Sequence, residues 1–393
     1  MNPQDANDGM MATLDLAGAP DGPLAGLDVA VKDVFDIAGT VTSFGNATWA
    51  RLHPPALVDA PIVGRLREAG ARIMGKTITV EFTFGLEGQN QWYGTPLNPA
   101  APDRLPGGSS SGSASAVASG LAAISIGSDT GGSVRIPASY CGLFGLRPSY
   151  GLLSLAGAAR YVPSLDVAGW FARDAATMQR VGDVLLPASL KLNGDVIMVR
   201  EAFDNANPDV AAVIGAVCDR IEAAGHARRD INIWPQGLDD LLVTQSLIHG
   251  REAWQSLGPW IEAHKPAMAE ITANRLHGAS KITLAEARGA RRNREAFRAH
   301  VLALLADGAV LALPSSPCIA PRRDAERAKL DAVRQQTLKV TAIAGLAGLP
   351  ELSIPAGISE GCPIGLSLIA APGRDQALIA MARRLVDGGT IRR

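Results

Sequence analysis

The chain has 393 residues, 47% hydrophobic and 19% charged, with a formal net charge of −1. That length allows one large domain or two ordinary ones, and the apolar content supplies a large core and excludes a disordered chain. The near-zero charge excludes a general attraction to nucleic acid or to an anionic membrane. Four cysteines (Cys141, Cys218, Cys318 and Cys362) lie far apart with no C-x-x-C spacing, so neither a zinc site nor a disulfide framework is expected.

The N-terminal "MNPQDANDGMMATLDL" is polar and acidic. It lacks a basic region followed by an apolar run, so neither a signal peptide nor a membrane span is expected, and the chain reads as cytoplasmic. Residues 1–25 read as a loose lead-in rich in Gly, Pro and Asp. "LDVAVKDVFDIAG" (27–39) has the pattern of a strand that turns polar at Lys32-Asp33. In "DAPIVGRLREAG" (59–70), Ile62, Val63, Leu66 and Ala69 share one helix face, and Gly70 supplies the stop. "ARIMGKT" follows as a strand. Residues 113–121 read as a helix of small residues and 123–129 as a buried strand. Residues 194–201 read as a strand, 207–225 as a helix, 226–233 as strand-like, 236–306 as mostly helical and 308–316 as strand then turn. Helices and short apolar strands alternate, which is an α/β pattern. No internal repeat is visible.

Two motif matches are physically empty. "GARIMGKT" (70–77) fits the P-loop expression, but a P-loop follows a strand and opens a helix so that free N–H groups face phosphate. Here a helix and a Gly stop precede a strand. A nucleophile elbow needs Gly two places after the serine, and Ser133 has Arg135 there. The six histidines lie in predicted loops or charged helical segments, none beside the Gly/Ser run.

That run, "GGSSSGSASAVASGLAAISIGSDTGGS" (107–133), concentrates hydroxyls with little bulk. Interleaved Ala, Val, Leu and Ile at 114–126 distinguish it from a flexible linker. A serine nucleophile here needs a base other than histidine. A buried lysine can serve, because desolvation disfavours its charged form. Lys32 and Lys76 both sit in apolar strands, and local sequence alone does not choose between them.

"GGSSSGSASAVASG" followed by "GSDTGGSVRIPASYCGLFGLRPSYG" resembles the signature stretch of the amidase signature family. "AVKDVFD" resembles that family's catalytic-lysine strand. "KTITVEFTFG", "YGTPLNP", "AGLAGLPELSIPAG" and "GCPIGLSLIA" fit further segments in the same order. The resemblance implies one amidase domain over 1–393: a signature core at 27–190, a variable helical region at 200–305 and a C-terminal core segment at 308–385. It implies a large central mixed sheet covered by helices on both faces. It also implies Ser133 as nucleophile, Ser109 (24 residues earlier, after a cis peptide bond) as bridging serine, and Lys32 as base. Backbone N–H groups of Thr130, Gly131, Gly132 and Ser133 form the oxyanion hole, and Ser110, Asp129 and Arg135 are supporting residues. The same resemblance implies that Ser133 attacks an amide carbonyl to form an acyl-enzyme, and no metal or cofactor is expected.

Among family members the chain is most similar to plant-type indole-3-acetamide hydrolases and their bacterial relatives. Only about thirty residues precede Lys32, and the chain ends soon after the last family segment. Both ends favour a free-standing hydrolase of small amides over an amidotransferase subunit, the alternative, with a ureido- or biuret-type hydrolase as a further one. A homodimer is compatible with the sequence. Discrimination among acyl groups is expected from 150–170 and from the helical segment, including Trp254 and Trp260.

Overall fold

The computed structural model describes residues 8–392. Within them eleven strands form one sheet: β1 (Met10–Leu16), β2 (Asp28–Lys32), β3 (Arg72–Thr77), β4 (Ile124–Asp129), β5 (Phe144–Arg147), β6 (Val167–Ala172), β7 (Val196–Val199), β8 (Arg228–Ile231), β9 (Val310–Pro314), β10 (Glu351–Ser359) and β11 (Cys362–Ile369). Their spatial order is β1-β3-β2-β4-β6-β5-β10-β11-β9-β7-β8. β2 runs parallel to β3 and β4, and β7 parallel to β8 and β9. The run from β4 through β6, β5, β10 and β11 to β9 is antiparallel, so the sheet is mixed.

Twelve helices pack around it: α1 (Ala47–Leu52), α2 (Pro61–Glu68), α3 (Ser111–Ala118), α4 (Arg135–Cys141), α5 (Ala175–Leu185), α6 (Arg200–Asp204), α7 (Pro208–Ala223), α8 (Gly237–His264), α9 (Glu270–Ser280), α10 (Leu284–Leu304), α11 (Arg327–Ala347) and α12 (Asp375–Asp387). Several boundaries follow from local chemistry. Pro61 and Pro208 open α2 and α7, where a missing N–H costs nothing. Thr283 and Glu286 close a capping box on α10. Gly142 ends α4 in the left-handed region. Among the described residues no helix is long and apolar enough to cross a membrane.

Strand alternation assigns the two faces. Val29 and Val31 of β2 and Trp170 of β6 join the large core with Ile62, Leu66 and Met178 of α2 and α5. Their strand neighbours Ala30 and Phe171 point the other way, into a smaller core with Ala114, Val117 and Ala138 of α3 and α4. Helices therefore cover both faces. The small residues of α3 permit its approach: a Cβ added to Gly112 would lie 2.3 Å from the Gly9 carbonyl oxygen and 2.5 Å from the Ile78 nitrogen.

The lead-in corrects the sequence reading. Residues 10–16 form β1, an edge strand antiparallel to β3, where a loose segment was expected. Leu14 and Leu16 pack against the core from its half-buried side. The segment 236–306 is helical as expected, as α8, α9 and α10.

Candidate active site

The parallel pairing of β2 with β4 brings the ends of two strands side by side, Val31 opposite Ile126. Lys32 closes β2 and Ser128 lies near the end of β4. Lys32 is fully buried, and its Nζ lies 2.8 Å from Ser109 Oγ and 2.8 Å from Ser128 Oγ. Ser109 follows a cis peptide bond from Gly108. Burial pushes the Lys32 ammonium down to about 7, opposed in part by the charges of Asp129 and Asp166.

Lys76 is buried almost as deeply, in β3, but its surroundings differ. Its Nζ pairs with Asp33 Oδ1 at 2.7 Å and donates to Thr42 Oγ1 at 2.9 Å and the Val41 carbonyl at 3.0 Å. Asp33 also accepts from the Ser43 N–H and hydroxyl. Lys76 is thus a buried cation with its own carboxylate, and it touches no serine of the Gly/Ser run. Being a strand residue with this partner, it cannot cradle a phosphate as a P-loop lysine does.

The loop after β4 is built on Asp129. Its carboxylate accepts the N–H groups of Gly132 and Val134 at 3.0 Å each, and it is gripped by Arg135 (2.8 Å) and Arg147 (3.1 Å). Burial alone would raise its pKa, but the two guanidiniums and these hydrogen bonds hold it well below the usual carboxylate range. Arg135 also reaches Glu351 of β10 at 2.6 Å. Asp129 and Arg135 therefore hold the loop together through hydrogen bonds and an ion pair. Arg147 and Glu351, missed by sequence reasoning, complete the cluster.

Ser133, 4% exposed, closes this loop. The Ser110 N–H donates to its carbonyl at 3.3 Å, so the two serine segments are in contact through main chain. Ser110 Oγ in turn donates to the Ser128 carbonyl at 3.2 Å. Among the described residues no hydrogen bond joins the Ser109 and Ser133 hydroxyls. Of the four amides expected to face an oxyanion, that of Gly132 is already held by Asp129. Those of Gly131 and Ser133 donate to no protein acceptor among the described residues. Gly132 has φ +117, and a Cβ there would lie 2.9 Å from Thr341 Cγ2, so glycine is required.

A cavity of about 460 Å³ opens beside this loop, lined by Ser128, Thr130, Tyr161, Asp166 and the turn 155–159. Part of the segment 150–170, from Leu155 to Asp166, lines it. Burial pushes the Asp166 carboxyl up to about 6, offset in part by its hydrogen bond from Thr130 Oγ1. Trp260 instead joins an aromatic group with Trp49, Phe82 and His264, and neither it nor Trp254 lines this cavity. His249 of α8 comes near the loop despite its distance in sequence: its Nε2 shares a 2.6 Å hydrogen bond with the Tyr161 hydroxyl. Burial and the charges of Arg334 and Arg275 push it down to about 3, which leaves it neutral and a weak base. Ser128 was the omission closest to the chemistry. Its signal was a hydroxyl immediately before Asp129 on a buried strand.

The family model described as Amidase matches residues 4–379. Amidase 1 of Oryza sativa subsp. japonica is 37% identical over 401 aligned residues, covering 92% of this chain and 90% of that protein. A crystal structure of an amidase is 31% identical with a TM-score of 0.85, covering 93% of this chain and 85% of the other. A chain of an inhibitor-bound vestigial protein complex, described as revealing the evolutionary origins of an s-triazine catabolic enzyme, is 29% identical with a TM-score of 0.86, covering 95% of this chain and 86% of the other.

Proposed function

The chain belongs to the amidase signature family and is an amide-hydrolysing enzyme; on that premise we propose that it cleaves small primary amides to acid and ammonia through a Ser133–Ser109–Lys32 relay. The observation that carries this reading is Lys32: fully buried, held between two hydroxyls, free of a contacting carboxylate among the described residues, and with its ammonium pushed down to about 7. A lysine so placed is substantially neutral near pH 7, and its lone pair can accept a proton.

In the reaction Lys32 Nζ takes the Ser109 proton as Ser109 Oγ takes that of Ser133. Ser133 Oγ attacks the amide carbon, and the carbonyl oxygen, now an oxyanion, faces the free N–H groups of the loop. A donor of that kind is worth about 3–4 kcal/mol of barrier. The proton then returns through Ser109 to the amide nitrogen, the C–N bond breaks, ammonia leaves and an acyl-enzyme remains. Water, deprotonated by the same relay, attacks the ester and restores Ser133. The contact between the Ser110 N–H and the Ser133 carbonyl supports closure of the relay on substrate binding, since catalytic hydrogen bonds often tighten only in the complex.

The test is a set of single variants assayed on a panel of aliphatic, arylacetyl and ureido amides. Ser133→Ala should remain folded by circular dichroism and lose turnover. Lys32→Met and Ser109→Ala should each lose several orders of magnitude. A folded Ser133→Ala protein with near-normal turnover would sink the assignment.

A further inference from the structure

A second cavity, of about 230 Å³, lies on the far side of the reacting loop, lined by Phe84, Gln245, His249, Arg275, Arg334 and Leu338 among others. It shares a wall with the first. Tyr161 lines one and its hydrogen-bond partner His249 lines the other. The loop runs along both: Ser128 and Thr130 face the first, while a Cβ on Gly131 would lie 3.1 Å from Gln245 Nε2 and 4.0 Å from His249 Nδ1. An acyl arm seated on the loop can therefore leave it in either direction.

The second cavity is polar in an unfinished way. Gln245 is 1% exposed, yet neither its amide nitrogen nor its amide oxygen has a hydrogen-bond partner. A buried unpaired donor or acceptor costs about 1–3 kcal/mol, so the position calls for a ligand group. The neighbouring charges are also unbalanced. Glu87 pairs with Arg275 at 2.7 Å and Arg327 at 2.9 Å, and Asp331 pairs with Arg327 and Arg275. Two carboxylates thus face three arginines. Arg334, the third, makes no direct ion pair among the described residues, and its Nε is buried without a hydrogen-bond partner. Burial, first, and the like charge of Arg275 push it down to about 10, opposed only in part by the charges of Glu87 and Asp331, which it shares with the other two arginines. His249 feels the same positive field and stays neutral, so it adds no charge of its own.

We propose that this cavity is a carboxylate-binding subsite in which Arg334 and Gln245 receive the end group of the acyl arm, selecting monoamides of short dicarboxylic acids over neutral amides of equal length. The proposal rests on the amide-hydrolase reading above and names a substrate class for it. An anion would complete the charge balance, and a carboxylate fits a guanidinium in the bidentate geometry that makes such pairs strong. The volume lies below that of ordinary drug-sized sites, which suits a compact end group.

The test is the ratio of kcat/KM for succinamate to that for butyramide, read within each protein so that losses common to both substrates cancel. Wild type should show a ratio of about ten or more. Arg334→Gln should bring it to within about twofold of one, and Arg334→Lys should restore part of it. Calorimetric titration of succinamate into Ser133→Ala reads the subsite without turnover, and adding Arg334→Gln should weaken binding about tenfold or more. A wild-type ratio below one, a ratio unmoved by Arg334→Gln, or equal binding by the two titrated proteins overturns the subsite. Loss of turnover on every amide with binding intact would instead overturn the reaction assignment and leave the subsite standing.

Discussion

In the proposed relay, the pH dependence of kcat/KM reports directly on Lys32. Its burial pushes the ammonium down to about 7, against an ordinary value of 10.5. The base must be neutral, so activity rises as the proton leaves. With a midpoint near 7, about 9% of the enzyme is competent at pH 6 and about 91% at pH 8, a rise of about tenfold, and little is gained beyond pH 8.5. An ordinary lysine would behave differently: the competent fraction would climb about tenfold per pH unit, about a thousandfold from pH 6 to pH 9, with no plateau in that range. Initial rates under kcat/KM conditions from pH 5.5 to 9.5, on a neutral amide at constant ionic strength, separate the two curves. An unbroken log-linear rise past pH 9 would refute the pre-neutralised lysine. Asp166→Asn supplies a second check. Removing that carboxylate removes a charge that favours the ammonium, so the midpoint should move to lower pH.

The two lysines should also part company in stability. Lys76→Met leaves the Asp33 carboxylate buried without its partner and should cost about 3–5 kcal/mol in urea unfolding, while Lys76→Met with Asp33→Leu should recover much of that. Lys32→Met should go the other way. Because the folded pKa lies below the unfolded one, protonated Lys32 costs stability below about pH 10, most fully below pH 7, and its removal should stabilise the protein at pH 7 by about 2–4 kcal/mol by chemical denaturation. Gly132→Ala places a Cβ at φ +117 against Thr341, and should reduce kcat by about tenfold or more with a smaller change in Tm. For neutral aliphatic amides, kcat/KM should stop rising with acyl length once the 460 Å³ cavity is full; a continued climb beyond about ten carbons would mean an open apolar channel.

What was legible in the sequence was what is contiguous in it. Ser109 and Ser133 sit in one stretch whose small residues and spacing are distinctive, and the motif order pointed to Lys32. The choice between Lys32 and Lys76 was not legible from local pattern, since both lie in apolar strands. It turns on which one meets a carboxylate, and Asp33 is adjacent in sequence to the lysine it does not serve. β1 was missed because its neighbourhood is rich in Gly, Pro and Asp, and an edge strand with no fully buried residue leaves only a weak apolar signal in Met10, Leu14 and Leu16. Arg147, Glu351, Gln245 and Arg334 were invisible for a simpler reason. Each acquires its role only when segments far apart in the chain are brought together, and a lone arginine or glutamine on a helix carries no mark of what it will face.

The cluster beneath the loop has a consequence for how activity can arise. Asp129, Arg135 and Arg147 belong to the first third or so of the chain, but the second carboxyl that balances the two guanidiniums is Glu351, at the start of β10. Arg135 also donates to the Thr341 carbonyl near the end of α11, and Thr341 Oγ1 holds the Gly131 carbonyl. The residues of the proposed relay all lie at or before position 133, yet the scaffold that shapes the loop is completed by residues more than two hundred positions later. An N-terminal fragment ending before α11 would carry the whole reactive set and still have an unfastened loop. The loop that carries Ser133 is thus fastened by groups from opposite ends of the chain, and its shape depends on both.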